Sequence, residues 1–193
     1  MATEAEVSSR TVNGVEYPAV GTYTIDVAHT QLGFAARHMA VSKVRGRFSK
    51  FEGTLEIAED PTDSKVSLTI EADSVDTREE NRDNHLRTND FFDVPNHPQW
   101  TFVSTGITTV SPTEWKVTGD LTIRGVTKPV TLDVTLEGVV KDPYGNHRVG
   151  FSGSTTINRE DFDVSFGAVM EAGGLVVSKK IDIELELEAT LQS

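Results

Sequence analysis

Near its C-terminus the chain alternates between apolar and polar residues almost without a break. Ile181, Ile183, Leu185, Leu187, Ala189 and Leu191 share one parity, and Asp182, Glu184, Glu186, Glu188 and Thr190 the other. Successive side chains on a strand point to opposite faces, so this period specifies a long strand with one apolar and one acidic face. Such a strand needs cover for its apolar face. Either a second layer packs on it, or the sheet curls round and covers itself.

The two-residue period recurs along most of the sequence. Tyr23–Asp26 forms a first short run, followed by Leu32, Phe34, Ala36 and His38 on one face. Val44, Gly46 and Phe48 then point inward, with Lys43, Arg45 and Arg47 outward. Phe51, Gly53, Leu55 and Ile57 continue on the opposite parity, so a one-residue slip at Ser49-Lys50 predicts a bulge or sharp bend. Later inward sets are Val66, Leu68, Ile70 and Ala72, the run at 100–103, and Trp115, Val117, Leu121 and Ile123. Val130, Leu132, Val134 and Leu136 follow, then Val149, Phe151, Gly153, Thr155 and Ile157. Gly125, Pro129 and Asp142-Pro143-Tyr144-Gly145 supply turns between them.

Residues 77–93 break the pattern. They are dense in charge and read as one short helix, with Thr77 as N-cap and Glu80 completing a capping box; Pro95 and Pro98 end it. Residues 1–20 show no sustained period and read as a flexible arm, leaving one domain over 21–193. A mainly β chain of about eight antiparallel strands and one helix closes most economically as an up-and-down barrel. A two-sheet sandwich would show the same alternation. Small residues on the inward face (Ala36, Gly46, Gly53, Ala72, Gly119, Gly153) point towards a cavity, although glycines also mark bends.

Composition removes several classes of function. A net charge of −12 argues against nucleic acid, whose phosphates call for a basic surface. With no cysteine there is no disulfide, thiolate metal site or thiol nucleophile. The first ten residues carry neither a basic nor an apolar signal segment, so the chain as written is expected in the cytoplasm. No apolar run is long enough to span a bilayer. Histidines are not paired at ligand spacing, and 158–163 lacks the glycine of a calcium loop, so no metal is expected. No nucleophile motif is present, and the carboxylates of the last strand all face one way, so no catalytic residue is expected. Glu171-Ala172-Gly173-Gly174 lacks the context of a phosphate loop and reads as a connection at the rim of the barrel.

Several local strings resemble a known family. They are H-T-Q-L-G-F-A-A-R-H at 29–38, V-R-G-R-F at 44–48 with F-E-G-T-L at 51–55, and S-V-D-T at 74–77. N-H-L-R at 84–87 precedes D-F-F-D at 90–93, and G-D-L-T-I-R-G-V-T-K-P-V occupies 119–130. In order and spacing these are similar to the YceI-like family of bacterial polyisoprenoid-binding proteins, over roughly residues 22–190. The resemblance implies a lipocalin-like barrel with an elongated apolar tunnel. Its implied ligand is a long isoprenoid, such as a polyprenyl or quinone tail, or another long-chain lipid. No cofactor is implied beyond that ligand. Some members pair as homodimers, and many are periplasmic or secreted.

A tunnel for hydrocarbon needs length and an apolar lining. Burial contributes about 0.8 kcal/mol per CH₂, so a chain of ~20 carbons offers roughly 16 kcal/mol before immobilisation offsets much of it. Alternation nominates Phe34, Ala36, Phe48, Leu55, Leu68, Ile70, Leu121, Ile123, Leu132, Val134, Phe151 and Leu185 as lining residues. Leu86, Phe91 and Phe92 would join them from the helical segment, as a lid or a plain seal. Any of these could equally be ordinary core. His38 is the one polar candidate, because it falls on the apolar face and could hydrogen-bond a head group or, alternatively, serve an enzyme acting on the same amphiphile. His85 reads as a tie between helix and rim, while His29, His97 and His147 sit at turns and read as solvated.

Overall fold

In the computed structural model, which describes residues 9–192 apart from 172, 173 and 175, the predicted period becomes a closed wall. Strands β1 (Ser9–Val12) and β2 (Val15–Pro18) form a hairpin of their own. The 11-stranded sheet comprises β3 (Gly21–Ile25), β4 (Gln31–His38), β5 (Ser42–Phe48), β6 (Phe51–Ile57), β7 (Lys65–Glu71) and β8 (Val75–Asp76), then five longer strands. These are β9 (Gln99–Ser111), β10 (Glu114–Ile123), β11 (Val126–Lys141), β12 (His147–Asn158) and β13 (Val177–Leu191). Pairing of β12 with β13 closes the ring.

The short early strands are halves of longer staves. Both β3 and β4 lie along one edge of β13, at Tyr23–Ile25 and at Gln31–His38 respectively. On their other side β6 pairs with β3 and β5 with β4. β7 and β8 continue the series against β6 and β5. Counted this way the wall is an eight-stranded antiparallel barrel with up-and-down order, closed by pairing everywhere except between β8 and β9.

All three divided staves bend at one level. Between β3 and β4 lies a single turn, Val27–His29, capped by the Asp26 carboxylate, which accepts from the Ala28 N–H at 3.0 Å. Between β5 and β6 lies Ser49-Lys50, the site of the parity slip. The Ser74 side chain holds it there: its Oγ accepts from the Lys50 N–H at 3.0 Å and donates to the Glu71 carbonyl at 2.7 Å. Ile25, Leu32 and Phe51 fill the inside of this elbow.

Beyond the elbow β8 has no pairing with β9, and helix α1 (Glu80–Arg87) with the turns after it fills that side. The predicted N-cap was Thr77, but Glu79 takes the role, its carboxylate accepting from the N–H groups of Asn81 (3.1 Å) and Arg82 (2.6 Å). Arg78 reverses the chain with φ 63°, so Thr77 lies outside the helix; its N–H instead donates to the buried Asp83 carboxylate at 2.9 Å. Among the described residues no helix is long and apolar enough to cross a membrane.

The N-terminal segment departs from the reading of 1–20 as a flexible arm. Residues 9–18 are a hairpin, turned by Asn13 and Gly14 at φ 51° and 82°. The Arg10 guanidinium fastens it to the barrel through the carbonyls of Glu59 (2.6 Å) and Ala58 (2.7 Å). Tyr17 packs into the core beside Trp115, 6.1 Å between ring centroids. Residues 1–8 lie outside the described residues.

Candidate functional site

A cavity of about 310 Å³ runs inside the barrel from the helix end to the hairpin end. At the helix end Leu86, Phe91, Phe92, Phe162 and Val164 line it. Ala36, Phe34, Phe48, Leu68, Ile70, Leu121, Ile123, Leu132, Val134 and Leu185 form the middle stretch. Leu55, Phe151, Leu136, Trp115 and Tyr17 narrow it at the hairpin end. Every apolar residue nominated from the sequence thus faces one space: strand alternation carries those of the wall to its concave side, and the helix with the turn after it brings in Leu86, Phe91 and Phe92. Its volume falls at the small end of the ~300–1,000 Å³ usual for ligand pockets. Aromatic rings close the helix end: Phe48 and Phe92 each stand edge-to-face against Trp100 at 4.7 Å. Alternation places Trp100 in a strand without assigning it to the lining.

The inward glycines do not leave the space empty. A Cβ on Gly46 would meet the Phe34 ring at 2.3 Å, one on Gly119 the Phe102 ring at 2.4 Å, and one on Gly153 the Leu185 side chain at 3.0 Å. Each glycine lets a neighbouring strand's large side chain lie flat against the wall. That flattening keeps the bore open, so the glycines act through their neighbours. Ala72 is fully buried at the elbow, with its N–H on the Pro98 carbonyl, and is not part of the lining.

His38 is the nominated residue that the structure leaves out of the tunnel. It sits at the last pair of β4, opposite Val177 and Ser42, where a register shift between Val177 and Ile181 ends the regular wall. The alternative of an enzyme centred on His38 loses its central residue. His85 does tie helix to rim: its Nε2 lies 2.7 Å from Asp90 Oδ2 and its ring stands edge-on to Phe91 and Phe166, at 5.1 and 5.2 Å. His29 is an exposed partner of Asp26, and the His97 ring packs over Gly125. His147, expected in solvent, is 5% exposed, and neither ring nitrogen has a hydrogen-bond partner. The rim segment 171–174 falls partly outside the described residues.

Charged groups gather on the outside. Asp26, His29 and Glu188 lie close enough together to hold a metal ion. The Arg148 guanidinium already occupies the space between the two carboxylates, 2.6 Å from Asp26 and 2.7 Å from Glu188, and also binds Asp142 at 2.7 Å. These bonds hold Asp26 below its ordinary pKa, Asp142 well below it, and Arg148 above its own. The cluster is an ion-pair network in which arginine supplies the cation.

Two residues with polar groups line the helix end of the tunnel beyond those nominated. Trp100 Nε1 is buried without a partner. Arg159, 5% exposed, lines the helix end and donates to the carbonyls of Val164 (2.6 Å), Ser178 (3.0 Å) and Val177 (3.4 Å). Burial lowers its pKa. Alternation could not find Arg159, because it begins a one-turn helix (Arg159–Phe162) just past the end of β12.

Comparison with known proteins agrees with this architecture. The family profile described as YceI-like domain matches residues 23–189. UPF0312 protein SERP2314 of Staphylococcus epidermidis is 38% identical over 173 residues, covering 89% of this chain and 98% of its own. The crystal structure of BcnA from Burkholderia cenocepacia superposes with a TM-score of 0.76 at 26% identity, covering 86% of this chain and 99% of that one. A polyisoprenoid binding domain from Saccharophagus degradans, implicated in plant cell wall breakdown, shares the fold at 16% identity and a TM-score of 0.68, covering 88% and 98%.

Proposed function

The chain belongs to the YceI-like family, and on that premise we propose that it is a carrier, without catalysis of its own, for a long isoprenoid such as a polyprenyl or quinone tail, or a similar long-chain lipid. The observation that carries this reading is the continuous apolar lining from Phe92 to Tyr17. An extended hydrocarbon gains about 0.8 kcal/mol per CH₂ in such a bore, where a compact polar metabolite gains little. Isoprenoid is also the ligand class named for the Saccharophagus domain that shares the fold. Glu184 is the one carboxylate residue along the tunnel among the described residues, and its side chain is exposed and pairs with Arg45 at 3.5 Å, so no acid and base converge inside.

The test is direct. Organic extraction of the purified protein followed by mass spectrometry should recover a long-chain lipid in roughly stoichiometric amount. Delipidated protein should then take up labelled polyprenol or quinone. Repeated preparations free of lipid, together with no uptake of either probe, would defeat the reading.

A further inference from the structure

We infer that the tunnel selects amphiphiles with an anionic head, a carboxylate or a phosphate monoester, and that Arg159 at the helix end is the group that reads it. This rests on the carrier reading above and assigns its ligand a head group. A guanidinium has five N–H donors, and three of those on Arg159 go to backbone carbonyls. One hydrogen on each terminal nitrogen remains. Among the described residues no carboxylate lies within ion-pair distance of Arg159. The adjacent Glu160 is held by Lys179 at 2.9 Å instead.

A cation placed at the end of an apolar bore without a counter-charge is costly. Carbonyl dipoles offset part of that cost, and burial still depresses the arginine's pKa. An anionic oxygen arriving at the end of a hydrocarbon chain would complete the balance. The planar fork suits two oxygens of one carboxylate or phosphate. The cations at the opposite mouth are differently placed: Arg10 has its own partner in Glu59 at 3.3 Å, and Lys65 is exposed.

The experiment compares three chains of equal length, hexadecanoate, hexadecyl phosphate and hexadecanol, at pH 8 on the full delipidated protein. Fluorescence of Trp100 and Trp115, both on the lining, follows binding. The unaltered protein should bind at least one anion tenfold or more tighter than the alcohol, and the tighter of the two identifies the head group. In Arg159→Gln the preference should fall below twofold. Equal binding of the alcohol and both anions by the unaltered protein overturns the inference while leaving the carrier reading intact. Failure of all three chains, and of polyprenol, to bind overturns the carrier reading itself. Because Arg159→Gln also removes ties to three carbonyls, Lys65→Gln supplies a second check. Loss of the preference in Lys65→Gln would put the head group at the other mouth and overturn the assignment; its retention there supports Arg159.

Discussion

At the scale of single residues, two kinds of position decide how this barrel behaves. The first is the Arg148 network. Asp26 and Asp142 have folded pKa values below the unfolded value of ~3.9, so their contribution to stability is full above that pH and is lost as pH falls through the lower folded values. Arg148→Met should therefore lower Tm at pH 7, where it leaves three carboxylates close together, and flatten the fall of Tm between pH 5 and pH 2. Thermal scans across that range check it; parallel curves for parent and variant would contradict the assignment. The second kind is the glycine under a neighbour's ring. At Gly119 an added Cβ meets the Val103 carbonyl at 2.6 Å as well as the Phe102 ring, whereas at Gly46 the contacts are the side chains of Phe34 and Thr77. Backbone yields less than a ring, so Gly119→Ala should cost about 1–3 kcal/mol and Gly46→Ala less. Urea unfolding measures both. Gly46→Ala should also push Phe34 into the bore and weaken lipid uptake. Of these roles the sequence shows the apolar ones plainly, since Phe34, Phe48 and Leu121 follow from parity alone. It hides Arg159 and the off-tunnel position of His38, because both lie where a strand ends and parity stops predicting direction.

At the scale of elements, the N-terminal hairpin is the part least visible beforehand, although Asn13-Gly14 between Val12 and Val15 is a strong two-residue turn signal. The strands around it have four residues each, too short for a period to register. Its structural weight comes from tertiary contacts: Arg10 on the carbonyls of 58 and 59, and Tyr17 hydrogen-bonded to the Pro112 carbonyl and seated beside Trp115. The elbow, by contrast, announces itself as the Ser49-Lys50 parity slip. What the slip cannot reveal is that three neighbouring staves bend together, since that depends on Ser74 reaching Lys50 from the turn between β7 and β8. Tyr17 lines the tunnel at its hairpin end. Tyr17→Ala should cost about 3 kcal/mol, in the range of large aromatic truncations, and should speed release of a bound lipid by opening that mouth. Stopped-flow displacement of a labelled polyprenol tests the second effect; an unchanged off-rate would mean that cargo never passes the hairpin end.

At the scale of the whole molecule, alternation alone left barrel and sandwich open, and the β12–β13 pairing decides between them. Closure matters for function because it gives the bore a defined length. On β10 both Trp115 and Ile123 face it, which is ~26 Å along the strand at ~3.3 Å per residue. A strand tilt of ~35–45° shortens that to ~20 Å along the axis. A hydrocarbon shorter than this gains contact with every added carbon, whereas a longer one meets the Tyr17 ring at the hairpin end. Across a homologous series of linear alcohols, affinity should therefore rise by up to about fourfold per CH₂, the equivalent of ~0.8 kcal/mol, and level off once the extended chain reaches ~20 Å. In Tyr17→Ala the plateau should move to longer chains, because the tail can thread through the opened end. Titration calorimetry on the delipidated protein reads both curves. A flat series would show that the chain does not enter the bore, and an unbroken rise in the unaltered protein would show that its far end stands open.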